Sequence, residues 1–144
     1  MFVLDHRIRV FVFQYLERDP RFLLLQHKPA AEWPIGPVIG SIQHDEHIQD
    51  AVVREVKADT GISKPLQIMD LSQPSKEIFG DIGLVEWPIA YQAGSPDQPI
   101  KELTPGPRIG EIAWMEFEEA FQRLETGGDR EHLVRLHLRL QQSG

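Results

Sequence analysis

The sequence contains no cysteine among its 144 residues. This absence excludes a disulfide framework, a thiolate metal site and a cysteine nucleophile. No apolar run approaches the ~20 residues that a membrane-spanning helix needs. The opening residues, MFVLDHRIRV, carry charges where a signal peptide would have its apolar segment. The sequence therefore predicts a soluble, cytoplasmic protein that has no membrane partner.

The sequence also has fewer basic than acidic residues. The 15 Lys and Arg are outnumbered by 22 Asp and Glu, which gives a formal net charge of −7. No basic block is present that could follow a phosphate backbone, so we expect no polymeric nucleic acid as a partner. An acidic protein can still bind a small polyphosphate, because a divalent cation held by its carboxylates reverses the local sign of the charge.

A chain of this length is expected to form a single domain, here residues 1–144. Its first half contains strand-like segments rich in β-branched and aromatic residues, separated by turns with proline or glycine. Strands are predicted over 7–16, 21–28 and 38–42. The strongest helix prediction covers 46–60, with Asp45 as N-cap, apolar residues at helical spacing and Gly61 after the last turn.

The second half of the chain contains further strands and two helices. Strands are predicted over 66–71, 77–93 and 111–116, and helices from Phe117 and after Gly128. Asp129 is expected to cap the last helix, on which Leu133, Leu136 and Leu140 share one face. The segment 94–110 between these strands is rich in proline and glycine. Ordered loops of that length tend to be functional or mobile.

Two carboxylates recur on the predicted helix. Glu55 and Asp59 are four residues apart, so they lie one above the other on one face. Like charges at this separation destabilise a helix unless solvent or a cation lies between them. Magnesium suits such a pair, because Mg²⁺ takes a few carboxylates, keeps several waters and is completed by phosphate oxygens. The backbone carbonyl of Gly40, just before the helix, could supply another oxygen ligand.

The stretch GSIQHDEHIQDAVVREVKADTGI, residues 40–62, resembles the Nudix box of the Nudix hydrolase family. That box reads G, five residues, E, seven residues, R-E-U-x-E-E-x-G-U, where U is a bulky aliphatic residue. Seven positions fall in register, which are Gly40, Glu46, Arg54, Glu55, Val56, Gly61 and Ile62. Asp59 replaces the second glutamate of the last pair, and Ala58 stands where the first would be. A match at fixed spacing over this length is a specific signal.

The resemblance implies a fold, a metal and a set of ligands. The fold is of the α/β class, an α/β/α sandwich with a mixed β-sheet. The implied metal is Mg²⁺ or Mn²⁺, and Glu55 is its central ligand and the base that activates water. Asp59 and the carbonyl of Gly40 are implied as further ligands. An additional downstream glutamate is typical of the family, for which Glu111 is the candidate and Glu102 the substitute.

The same resemblance gives Glu46 and Arg54 a structural role, in which they hold the helix and the preceding loop in place. It leaves the substrate-binding residues open. Trp33, Phe79 and Trp87, together with Trp114, are candidates for stacking on a base, although a tryptophan in such a domain more often belongs to the core. Many members of the family are dimers, so a homodimer is a further expectation.

The activity implied is that of a pyrophosphohydrolase that cleaves the diphosphate linkage of a nucleoside triphosphate or another nucleoside diphosphate derivative. Metal ions would neutralise the diphosphate and activate a water, whose proton a carboxylate takes. Because Ala58 removes one carboxylate, the alternative is a Nudix-like domain that binds nucleotide without hydrolysing it. A third interpretation, a structural or protein-interaction domain, predicts no metal-dependent ligand.

Overall fold

A computed structural model describes residues 3–143 of the chain. The strands are β1 (Val3–Leu16), β2 (Asp19–His27), β3 (Val38–Ser41), β4 (Gln67–Asp70), β5 (Ser75–Phe79), β6 (Ile82–Gly94) and β7 (Ile109–Met115). The helices are α1 (Ile48–Thr60), α2 (Phe117–Arg123) and α3 (Gly127–Ser143). None of these helices is long and apolar enough to cross a membrane.

Strand β1 lies at the centre of a seven-stranded sheet. It pairs in parallel with β6 along most of its length, and antiparallel with both β2 and β3 on its other side. Strand β7 extends the sheet beyond β2, while β4 and β5 both pair antiparallel with β6. The sheet is therefore mixed, as the resemblance implied.

The two faces of the sheet carry separate apolar clusters, because side chains alternate between the faces along each strand. On one face, Ile8, Val10 and Leu25 of the sheet pack with Val52 and Val56 of α1. The opposite face packs against α2 and α3, and its buried side chains include Phe11, Phe13, Phe22, Leu24, Ala120, Leu133 and Leu136. The predicted α/β/α sandwich is thereby confirmed.

Helix α1 begins at Ile48, later than predicted, and Asp45 is not its N-cap. The N-cap is His47, whereas Asp45 has a left-handed backbone with φ of 61°. The carboxylate of Glu46 accepts the N–H of Gln43 at 3.0 Å, which closes a turn ahead of the helix. This turn holds residues 43–46 outside the helix.

The segment 77–93, predicted as one strand, forms two. Phe79 of β5 pairs with Ile82 of β6, so the chain reverses at Gly80 and Asp81. Gly80 has φ of 59°, a conformation that costs a glycine little because it has no Cβ. Because apolar residues flank this turn on both sides, the sequence pattern indicates one continuous strand.

Asp129 does not cap α3, which already begins at Gly127. The N–H of Asp129 donates to the hydroxyl of Thr126 at 3.2 Å. The carboxylate of Asp129 instead accepts hydrogen bonds from Arg9 of β1, at 2.9 Å from Nε and 2.6 Å from Nη2. Because Asp129 is buried, this ion pair with Arg9 compensates its charge and ties α3 to the sheet.

Candidate active site

Helix α1 carries Glu55 and Asp59 on the side that packs against the sheet. Both side chains are largely withdrawn from solvent, since Glu55 is 7% and Asp59 1% exposed. Burial raises the pKa of Asp59, an effect that the guanidinium of Arg108 opposes but does not cancel. Two carboxylates that are both buried and adjacent need a cation for stability.

Gly40 of β3 lies in direct contact with Glu55. A Cβ on Gly40 would be 2.4 Å from both Cγ and Cδ of Glu55 and 2.7 Å from its Oε2. Only a glycine leaves room for the Glu55 side chain in its present place, because a strand glycine permits this close approach. The first position of the motif is thereby explained by packing. A role for the Gly40 carbonyl as a metal ligand stays a prediction.

Arg54 ties α1 to the chain that follows β3. Its Nε and Nη2 donate to the two oxygens of Glu46 at 2.8 and 2.9 Å, and Nη2 also donates to the carbonyl of Ser41 at 2.8 Å. Its Nη1 donates to Oε1 of Glu55. Hydrogen bonds from Arg54 and from the Gln43 N–H lower the pKa of Glu46 to about 2. Because Arg54 also donates to Oε1 of Glu55, that oxygen already has a hydrogen-bond partner within the protein.

Arg108 is a further site residue, which no sequence pattern indicated. Its Nη2 donates to Oε2 of Glu55 at 3.0 Å and to Oδ1 of Asp59 at 3.2 Å. Burial opposes the charge on Arg108, but the two carboxylates outweigh that effect and raise its pKa. The available signal is modest, a lone arginine in the stretch TPGPRIG of the long loop.

The loop between β6 and β7 is fixed to the end of α1 by backbone hydrogen bonds. The N–H of Thr104 donates to the carbonyl of Thr60 at 2.9 Å, and that of Gly106 to the carbonyl of Asp59 at 3.2 Å. A Cβ on Gly106 would lie 2.1 Å from the carbonyl oxygen of Ala58, so the close approach requires glycine there. These contacts hold the loop against the end of α1 and so place Arg108 beside the carboxylates.

His27, at the end of β2, faces the other oxygen of Asp59. Its Nε2 is 4.0 Å from Oδ2, and among the described residues neither atom has a hydrogen-bond partner. Burial lowers the pKa of His27, and the charge of Asp59 offsets this only in part. Oδ2 of Asp59 is thus a buried oxygen that no hydrogen bond satisfies among the described residues.

The other predicted acidic ligands lie apart from this pair. Glu111 is exposed on β7, and its neighbour Ile112 packs on the face of the sheet that carries α1. Since neighbouring residues of a strand point to opposite faces, Glu111 points away from α1. Glu102 is exposed in the loop between β6 and β7. Ala58, which stands at the position of a glutamate in the Nudix box, is exposed on α1. The structure does not bring Glu111 to Glu55, and metal binding by either downstream glutamate stays a prediction.

Of the aromatic candidates, the structure places Trp33 at the site. Trp33 is 40% exposed, and its ring centre is 5.7 Å from that of His27. Trp87 and Trp114 pack against the apolar cluster beneath α1, so they have a core role. Phe79 is exposed at the turn between β5 and β6.

A cleft of about 430 Å³ opens beside Glu55. This volume lies within the range of about 300–1,000 Å³ that small-molecule sites occupy. The side chains that line it include one acid, one aromatic ring and several cations, namely Glu55, Trp33, Arg7, Lys28, Arg54 and Arg108. Asp5 and Glu46 pair with Arg7 and Arg54 and offset their charges, but the cationic side chains themselves face the cleft, where they can donate to an anionic ligand.

The residues present fit a divalent ion that needs few protein ligands. Glu55 and Asp59 supply carboxylate oxygens, and Oδ2 of Asp59 is buried with no hydrogen-bond partner among the described residues. Within residues 3–143, no three side chains of His, Cys, Asp or Glu are grouped closely enough to enclose a metal. Mg²⁺ and Mn²⁺ do not require such a cage, because carboxylate, water and phosphate oxygens suit them.

The fold and this site define the class of protein. The sequence model of the NUDIX domain matches residues 5–136, and the chain belongs to this family. The matched residues include α1 with its two carboxylates and the loop that carries Arg108. No curated protein matches the chain.

Solved structures of the same fold cover nearly the whole chain. The Ap4A hydrolase of C. elegans, in a binary complex, is 16% identical with a TM-score of 0.77, over 96% of this chain and 98% of that one. The dihydroneopterin triphosphate pyrophosphohydrolase of E. coli is 19% identical with a TM-score of 0.75, over 95% and 99%. The NUDIX domain of Shewanella oneidensis NrtR, complexed with ADP ribose, is 17% identical with a TM-score of 0.71, over 97% and 89%.

Proposed function

We propose that the protein is a divalent-metal-dependent hydrolase that cleaves the diphosphate linkage of a nucleoside triphosphate or another nucleoside diphosphate derivative. One observation carries the proposal. Glu55, with Asp59 beside it, lies at a cleft whose other charged side chains are cationic. A polyphosphate suits both the cationic side chains and the two carboxylates. Its oxygens pair with arginine and lysine, and they also complete the coordination shell of a metal ion that the carboxylates hold.

Glu55 and Asp59 would hold the ion, Mg²⁺ or Mn²⁺. When bound, the ion supplies charge neutralisation at the phosphates and a water of lowered pKa. Arg54 donates to Oε1 of Glu55 and thereby fixes the carboxylate that would accept the proton of the attacking water. The fixed rotamer matters, because a general base acts only within hydrogen-bond reach of the proton.

The cleft supplies the contacts for the remainder of the substrate. Arg7 and Lys28 line it and would bind phosphate oxygens, while the exposed face of Trp33 would stack on a base. The Ap4A hydrolase and the dihydroneopterin triphosphate pyrophosphohydrolase, both named as hydrolases of phosphate compounds, support a substrate of this class.

A second candidate function is a nucleotide-binding domain without turnover. Two observations favour it. Ala58 lacks the carboxylate of the Nudix box, and Arg108 already pairs with both carboxylates that remain. The NUDIX domain of NrtR, complexed with ADP ribose, supports binding of such a ligand by this fold.

Release of phosphate, pyrophosphate or nucleoside monophosphate tests the proposal. The panel would contain nucleoside triphosphates, dinucleoside polyphosphates, nucleotide sugars and dinucleotide cofactors, each with Mg²⁺, with Mn²⁺ and with chelator. The proposed enzyme gives metal-dependent release from at least one of these classes. Binding of a nucleotide by folded protein, with no release at any metal concentration, would instead establish the second candidate.

A further inference from the structure

Building on the proposed function, we propose that Arg108 and the divalent ion exchange at the same carboxylate oxygens, and that the displaced guanidinium then binds the phosphates of the substrate. A single nitrogen, Nη2 of Arg108, donates to Oε2 of Glu55 at 3.0 Å and to Oδ1 of Asp59 at 3.2 Å. One cation of the protein itself therefore lies between the two carboxylates that would hold the metal.

The guanidinium and a divalent ion compete for these oxygens. Oε1 of Glu55 is held by Arg54, so Oε2 is the oxygen that Glu55 can offer to an ion. Nη2 of Arg108 donates to that same oxygen, so an ion held there would compete with the guanidinium for the lone pairs of Oε2. Two cations a few ångströms apart also repel each other. Entry of the ion therefore requires the Arg108 side chain to leave.

The side chain of Arg108 can leave without unfolding its loop. Its side chain is 57% exposed, so the guanidinium borders solvent and can move without displacing packed atoms, while an incoming ion would replace the charge that the buried carboxylates require. The backbone at this point is held separately, because the carbonyl of Arg108 accepts the N–H of Lys28 at 2.8 Å and the N–H of Gly106 donates to the carbonyl of Asp59 at 3.2 Å. A change of side-chain rotamer is sufficient for the exchange.

The cleft offers the displaced guanidinium a new partner. Arg108 lines the cleft together with Arg7 and Lys28, so its side chain stays among the groups that face the substrate. The planar fork of an arginine suits two phosphate oxygens at once. Arg108 would thus oppose metal binding in the free protein and assist nucleotide binding in the metal-loaded protein.

Binding measurements on Arg108→Gln test both halves of the exchange. The first is the Kd for Mn²⁺ in nucleotide-free protein, followed by the electron paramagnetic resonance of the free ion. We expect this Kd to fall about tenfold, the factor that loss of competing charge-assisted hydrogen bonds produces. The second is the Kd for α,β-methylene-ADP at saturating Mn²⁺, which we expect to rise about tenfold. A variant that merely misfolds would weaken both.

Three further variants serve as controls. Lys101→Gln removes a cation from an exposed position of the same loop and should leave both constants unchanged. Arg108→Lys keeps the charge without the planar fork, and both of its constants should lie between those of wild type and Arg108→Gln. Asp59→Asn should abolish Mn²⁺ binding in either background, which locates the ion at this pair.

An unchanged or higher Kd for Mn²⁺ in Arg108→Gln would overturn the exchange, even in a protein that hydrolyses its substrate. An unchanged Kd for the nucleotide analogue would overturn the transfer of Arg108 to the phosphates. If neither wild type nor Arg108→Gln binds Mn²⁺, the metal-dependent function itself fails, so the two failures can be told apart.

Discussion

Replacement of Gly40 by alanine is the most direct structural perturbation of the site, because it adds one methyl group against the proposed base. The new Cβ would lie 2.4 Å from Cγ and Cδ of Glu55, whereas ordinary contact begins at 3.4 Å. The difference of these two distances, 3.4 − 2.4 Å, means that the Glu55 side chain must move by about 1 Å. Its carboxylate then leaves the position in which Arg54 holds it.

Two losses of different size should follow from Gly40→Ala. Overpacking of this kind costs about 1–3 kcal/mol in free energy of unfolding, and we expect the lower end because Glu55 borders an open cleft. The loss of kcat/KM should be the more conspicuous effect, since a displacement of the catalytic group by about 1 Å can cost about 10²-fold in rate. The variant should therefore remain folded and lose nearly all of its activity.

The assay compares kcat/KM on the best substrate of the panel with the free energy of unfolding in urea. Gly110→Ala is the matched control, because its Cβ would be 3.4 Å from the nearest atom, the carbonyl oxygen of Gln26. That variant should match wild type in both measurements. If Gly40→Ala retained kcat/KM within about threefold of wild type, the position of the Glu55 carboxylate would not limit catalysis, contrary to its proposed role as the base.

Three other substitutions probe the charges of the site. Asp59→Asn should raise the Tm of the metal-free protein at pH 7, because burial raises the pKa of Asp59 and its ionisation above that pKa costs stability. Added Mg²⁺ or Mn²⁺ should no longer raise the Tm of this variant, because one of the proposed ligands is lost. Glu46→Gln should lower the free energy of unfolding above pH 5, and its difference from wild type should fade as the pH falls from 4.5 to about 2, the range between the ordinary and the lowered pKa of Glu46. Ala58→Glu should lower the Kd for Mn²⁺ by about tenfold, because it restores a carboxylate of the box; an unchanged Kd would mean that the exposed position 58 does not face the ion.

The parts of the site that lie on α1 follow from local sequence. A spacing of four on a helix places Glu55 and Asp59 together, and the glycine at position 61 marks a helix end. The unbroken apolar run from Val10 to Phe13 likewise fits a strand that is buried on both faces. These features depend on neighbours within a few residues, which is why they can be inferred from one sequence.

The parts contributed by distant segments could not be inferred in this way. Arg108 reaches Glu55 across 53 positions of the chain, because backbone hydrogen bonds fix its loop to the end of α1. The orientation of Glu111 depends on the bulge between β2 and β7, at which Gly110 has no partner in the register. The start of α1 depends on the pairing of Glu46 with Arg54. Each is decided by tertiary contacts and not by composition.

In the proposed function, Glu55 and the ion that it holds perform the hydrolysis. The most direct measurement is the turnover of the best substrate of the panel, as a function of Mg²⁺ concentration, by wild type and by Glu55→Gln. The substitution keeps the shape of the side chain and removes its charge, so we expect an intact fold and a loss of kcat of at least about 10²-fold at every Mg²⁺ concentration. Turnover by Glu55→Gln at the rate of wild type, or turnover by wild type that persists in chelator, would show that Glu55 and its ion do not perform the hydrolysis.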